Sequence, residues 1–340
     1  MKRTLLPALL FAVLTALVPL AAALLAAPAG AGAAPTASSA APAAAAGPGE
    51  GAGGAASGEV FRVLDESTGE VLDVPAREWM IGAVAAEMPL SYEDEALAAQ
   101  AVAARSYALA CRAREKSGAV ADAGADFSAD PQRRLGFLTQ EVMRLVWGAD
   151  FEANYARLAG IVDGVLGETL TWQGQPALAC YHALSNGWTQ SAADVWGGEV
   201  AYLVPAESSA DVAAEGFEQT VTLTAQEMRE QLSAHFAGID FSAEPQDWFG
   251  LLERNAEGYV TSAHIGGVAC RGQDVRTALS LRSADFSVTW TGEEFSVTTR
   301  GWGHGVGMSQ YGANAMASAG ADHAQILAHY YPGAQLETAL

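Results

Sequence analysis

Between residues 301 and 312, glycine occupies nearly every second position. The segment reads Gly301-Trp302-Gly303-His304-Gly305-Val306-Gly307-Met308-Ser309-Gln310-Tyr311-Gly312. Backbone at such positions takes turns and close approaches barred to residues that carry a Cβ. The intervening residues are not those of a flexible linker, because His304, Ser309, Gln310 and Tyr311 all donate or accept hydrogen bonds. Two folded outcomes satisfy this pattern. Either the segment wraps a ligand or forms the wall of an active site, or it is a tight core crossing in which glycines let two backbones touch. Periodicity alone weighs these evenly.

The chain has 340 residues, half of them hydrophobic, which suffices for one large domain or two small ones. A formal charge of −21 argues against nucleic acid as a partner. The three cysteines, Cys111, Cys180 and Cys270, are scattered and show no metal-ligand spacing. Lys2 and Arg3 precede an uncharged Leu/Ala/Val run, so residues 1–27 read as a signal peptide or a membrane anchor. Residues 28–58 are almost entirely Ala, Gly, Pro and Ser and read as a tether.

Folding is expected from residue 59 to the C-terminus. Residues 60–64 and 71–74 flank Ser67-Thr68-Gly69 and read as a hairpin. From residue 76 the apolar period becomes helical through Ile81, Val84 and Met88, and Pro89 ends the helix. Glu87 thus sits at the C-terminal end of an apolar helix, where the dipole opposes a carboxylate and lifts its pKa. Ser91 is expected to cap a second helix over residues 96–110, apolar on nearly all sides and interrupted by Gln100 and Arg105. A buried arginine there needs a carboxylate or several carbonyls. Residues 115–138 read as a polar loop without Cys or His, and residues 169–172 and 177–184 as a strand pair. Thr224 and Glu227 form a capping box for a helix ending near residue 236. Residues 259–265, 285–290 and 295–299 read as strands, with a helix over 272–281 between them.

Four stretches resemble a known family. Residues 301–313, followed by an alanine-rich helix, are similar to the C-terminal signature of the stage II sporulation protein D family (SpoIID/LytB). Ala85-Ala86-Glu87-Met88-Pro89 with the Gln100-Ala101-Val102-Ala103-Ala104-Arg105 helix resembles that family's catalytic region. The segment from Tyr181 to Gln190, with Val195-Trp196, resembles its substrate-side segment, although Asn186 and Trp188 depart from the usual residues. Residues 275–283, with Arg276 and Arg282, again look like the family.

The resemblance implies a wall-directed protein that works outside the cytoplasm, anchored by its N-terminal segment or secreted. It implies peptidoglycan glycan strands as the substrate, cleaved by a lytic transglycosylase in sporulation or wall remodelling. Glu87 matches the proposed catalytic acid. Gln100, Arg105, His182, Ser185, Arg282, His304, Ser309, Gln310 and Tyr311 match substrate-side positions. The competing class is a glycan-binding enhancer of a cell-wall amidase, with an amidase or another remodelling protein as partner. Some members carry Cys/His metal ligands near residues 115–138. This chain lacks them, so neither a metal nor another cofactor is expected.

The alternation of hairpins and helices without βαβ rhythm gives an α+β fold, with helices and antiparallel hairpins around a substrate groove. Residues 59–340 form the catalytic domain, with Glu87 on the groove floor and the glycine segment as one wall.

Overall fold

The computed structural model describes residues 58–338. The apolar N-terminal run and the tether up to residue 57 lie outside them. Among the described residues no helix is long and apolar enough to cross a membrane.

The fold is α+β, built on two hydrophobic cores. The larger core gathers the helices Ala76–Glu87, Asp94–Ala113, Phe151–Val165, Gln310–Ser318 and His323–Tyr330. The 20-residue helix Asp94–Ala113 lies at its centre. Its buried positions are mostly alanine, so neighbouring helices approach it closely. The strand Val60–Asp65 pairs antiparallel with Val71–Pro75 and parallel with Phe127–Ala129. Phe61, Trp79, Phe127 and Phe137 interlock beneath this sheet, with centroid separations of 4.7 to 6.0 Å.

The second core draws its buried side chains from between Met228 and Val297 and is flanked by two three-stranded antiparallel sheets. One sheet orders Asp285–Trp290, Glu294–Arg300 and Glu218–Thr224; the other orders Val268–Arg271, Val260–Ile265 and Phe249–Arg254. Trp248 stacks on Phe295 at 5.5 Å within it. The helix Ala225–His235 carries both halves of the capping box expected from Thr224 and Glu227.

Several expectations change in detail. The second helix starts two residues before residue 96, and its N-cap is Glu93 rather than Ser91. Asn314, from the far end of the chain, accepts the Glu93 N–H at 2.8 Å, so a tertiary contact replaces the local cap. The polar loop of residues 115–138 contains the short strand Phe127–Ala129, which exists only because Val60–Asp65 lies beside it. The strand expected over residues 177–184 shrinks to Tyr181–His182, paired in parallel with Met308–Ser309.

Candidate active site

The glycine segment leaves the second core directly after the strand Glu294–Arg300 and runs against residues 180–190. Gly301, Gly303, Gly305 and Gly307 all have left-handed backbone. Two of them show why no other residue fits. A Cβ at Gly303 would lie 2.6 Å from the His182 Cβ, and one at Gly307 would overlap the Cys180 carbonyl. Backbone bonds stitch the two segments: Trp302 N–H to Leu184 O at 2.6 Å, Gln190 N–H to Gly305 O at 2.6 Å, and Met308 N–H to Cys180 O at 3.0 Å. The glycines therefore make a tight crossing, and that crossing sets the residues at its end beside Glu87.

Glu87 is the last residue of its helix and is 7% exposed. Burial raises its pKa to about 7, against a hydrogen bond from the Gln310 side chain that lowers it. The Gln310 Nε2 also donates to Gln100 Oε1 at 3.3 Å, and the Tyr181 hydroxyl lies against Gln100. Glu87 Oε2 is buried and has no hydrogen-bond partner among the described residues. Desolvation, rather than the helix dipole alone, keeps this carboxyl protonated near neutrality.

His182 and His304 face each other at 5.7 Å, and His304 also packs on Trp196 at 5.3 Å. The backbone of Val306 fixes both rings. Its N–H donates to His304 Nδ1 at 3.0 Å, so that nitrogen is bare; its carbonyl lies 3.2 Å from His182 Nδ1, so that nitrogen carries the proton. The two histidines hold opposite tautomers. Burial pushes the His182 pKa down to about 4 and holds His304 well below its usual range. His182 Nε2 is consequently a bare acceptor, buried and without a partner.

Ser185 and Ser309 meet through a residue that no motif marks. Asp211 is fully buried, and its Oδ2 accepts from the Ser185 N–H and the Ser309 hydroxyl, each at 2.7 Å. The Ser309 oxygen in turn caps the helix Gln310–Ser318 by accepting from Gly312 N–H at 3.2 Å. Asp211 therefore ties residue 185 to the helix that carries Gln310. Burial raises its pKa, against the hydrogen bonds from Ser185 and Ser309. Tyr311 is half-buried, follows Gln310 directly, and lies close to Tyr92.

Arg105 belongs to a different cluster. Its guanidinium bonds Glu59 at 2.8 Å, the Glu168 carbonyl at 3.0 Å and the Thr169 hydroxyl. It thus finds the carboxylate and carbonyl that burial demanded, without meeting Glu87. Arg282 lies 3.9 Å over the Trp302 ring, so one face of that indole is already covered. Trp188 is 46% exposed, and the carbonyl of this residue accepts from the Tyr259 hydroxyl of the second core at 2.8 Å. Among the described residues no group of His, Cys, Asp and Glu is arranged to hold a metal ion.

The model of a family described as SpoIID, stage II sporulation protein, matches residues 65–163, the span that holds Glu87, Gln100 and Arg105. The chain is 34% identical over 279 residues to stage II sporulation protein D of Bacillus amyloliquefaciens, covering 80% of this chain and 77% of that one. It is 34% identical over 281 residues to the Bacillus subtilis (strain 168) protein of the same name, covering 82% and 78%. An amidase enhancer of Bacillus subtilis (strain 168) is 24% identical over 306 residues, 75% of this chain and 40% of that protein.

Proposed function

The chain belongs to the stage II sporulation protein D family, and from that premise we propose that it is a peptidoglycan lytic transglycosylase acting on glycan strands outside the cytoplasm. The observation that carries this reading is Glu87: a buried carboxyl titrating at about 7, with one oxygen held in the Gln310 cluster and the other unpartnered. An ordinary glycoside hydrolase needs two working carboxylates. The other buried carboxylate beside this machinery, Asp211, is sealed and already accepts two hydrogen bonds. A one-carboxyl mechanism suits this arrangement.

In that mechanism, protonated Glu87 gives its proton to the bridging oxygen as the glycosidic bond breaks. The muramic acid C6 hydroxyl then forms the new bond to the anomeric carbon and returns its proton to Glu87. No water is consumed, and the product carries an anhydro-muramic end. Gln310 and Gln100 orient the carboxyl. Tyr311 and the exposed Trp188 offer aromatic faces for sugar rings. The apolar run after Lys2-Arg3 would export the domain, and a reporter fused after residue 58 should then be active only outside the cytoplasm.

The test is incubation of the soluble domain with purified peptidoglycan, with and without stem peptides. Wild type should release anhydro-muramic ends, and Glu87→Gln should bind the glycan yet lose cutting by roughly 10²-fold or more. Reducing muramic ends would mean that water attacks, which defeats the one-carboxyl mechanism. The likeness to an amidase enhancer supports a second reading, in which the chain grips glycan and stimulates an amidase. That reading wins if neither protein cuts and both stimulate.

A further inference from the structure

The helix Asp94–Ala113 ends against a cavity of about 70 Å³ that none of the residues grouped around Glu87 lines. The cavity is half-open to solvent and holds more than a single water needs. Cys111, Val120 and Phe127 give it an apolar side, and Arg114 and Lys116 give it a cationic one. These two cations differ from the arginine beside them. Arg112 is matched by Glu59 at 3.0 Å and by Asp126 at 3.1 Å. Asp126 also lines the cavity, but its Oδ2 is engaged by Arg112 and by the Arg62 N–H at 2.9 Å. Arg114 makes no side-chain hydrogen bond or ion pair among the described residues, and its Nη1 is buried. Lys116 Nζ donates to the Arg112 carbonyl at 3.0 Å and meets no carboxylate among them. Glu115, on the exposed rim, pairs with neither cation. Burial pushes the Cys111 thiol up to about 11, so it stays neutral and supplies Arg114 no anion. A guanidinium nitrogen withdrawn from water without an acceptor is unfavourable, and an anion entering the cavity would relieve it.

We propose that this cavity binds a small organic carboxylate: Arg114 pairs with the carboxylate, Lys116 adds a second positive charge, and a short aliphatic body packs on Val120 and Phe127. The planar fork of arginine matches two carboxylate oxygens. The small volume favours short acids over long ones. A free acid and the carboxylate end of a peptide closed by a small residue share this chemistry. The site does not depend on the glycan reading, because Glu87 and its neighbours take no part in it.

The probes are propionate and its neutral isostere propionamide, titrated against the full chain by ligand-observed NMR. Propionate should saturate one site with a dissociation constant on the order of a millimolar. Propionamide should bind roughly tenfold more weakly, or worse, because it brings no charge to Arg114. Two variants attack the cavity from different sides. Arg114→Met removes the charge and keeps most of the length, while Val120→Trp fills the void and keeps the charge. Each should abolish saturable propionate binding with the circular dichroism of wild type retained. N-acetylalanine separates the two sources: tighter binding than propionate supports the site as a receptor for peptide ends, and weaker binding supports it as one for free acids. Absence of saturation, equal affinity for propionamide, or propionate binding that survives either variant would overturn the site.

Discussion

Glu87 and Asp211 are both buried carboxyls whose acidity burial weakens, and both engage the start of the helix Gln310–Ser318. Glu87 meets it through Gln310, and Asp211 through the adjacent Ser309. Their hydrogen bonding separates them. Each leaves one oxygen without a partner among the described residues, Glu87 Oε2 and Asp211 Oδ1, but Asp211 Oδ2 accepts two bonds of 2.7 Å, from the Ser185 N–H and the Ser309 hydroxyl, whereas the Gln310 side chain alone bonds Glu87. Two short bonds from segments distant in sequence give Asp211 a structural role, whereas Glu87, held by one amide, is the carboxyl freer to exchange a proton.

Both carboxyls depend on the glycine segment, so the largest effect should come from breaking it. Gly307→Ala places a Cβ into the Cys180 carbonyl on left-handed backbone, and should cost more than about 3 kcal/mol by denaturant unfolding. The two carboxyls should then diverge. Glu87 has a folded pKa of about 7 against an ordinary 4.5. Its contribution to stability is therefore full below 4.5 and lost as pH rises to about 7. Glu87→Gln removes that loss and should be more stable than wild type at pH 8 by as much as ~3 kcal/mol. Asp211→Ala should instead lose about 2 kcal/mol, because the Ser185 N–H and Ser309 hydroxyl are left unpaired, while Asp211→Asn retains an acceptor and loses less. If both carboxyls destabilise on neutralisation, the distinction between them fails.

The smallest effect falls on Glu95. Read from its position alone, it is a first-turn acid worth only a helix-dipole contribution. In the fold it accepts the His323 N–H at 2.7 Å and meets the His323 ring at 2.9 Å, while Glu168 holds the other ring nitrogen at 2.9 Å. Burial lowers the His323 pKa, but Glu95 and Glu168 outweigh it and leave it raised. That stabilisation is present below the ordinary histidine pKa and fades as pH rises through the raised one. Glu95→Gln should cost up to about 1 kcal/mol at pH 5.5, less at pH 9, and leave cutting intact.

The residues of the glycine segment and of the Glu87 helix were legible because their information is local. A helix halted by Pro89 marks the place of Glu87, and alternate glycines announce a crossing. Which of the two outcomes the glycines served was not legible, since Cys180 and His182 lie more than a hundred residues earlier. Asp211 was invisible for the same reason: its partners stand 26 and 98 residues away, and Ser208-Ser209-Ala210-Asp211 reads as an ordinary turn. The strand Glu218–Thr224 did carry an alternating signal in Val221 and Leu223, but its residues are at most half-buried and its pairing needs Glu294–Arg300. Arg105 announced that it needed a carboxylate without saying which, and Glu59 rather than Glu87 supplied it.

The central claim is that a single carboxyl, Glu87, serves as acid and then as base. The most direct measurement is the pH dependence of the turnover rate on saturating peptidoglycan. The account predicts a rate that is level in acid and falls about tenfold per pH unit above about 7, with no second essential ionisation. Asp211→Asn should leave that midpoint in place. A bell-shaped profile requiring a second working group, or a midpoint near 4.5 that moves with Asp211→Asn, would contradict it.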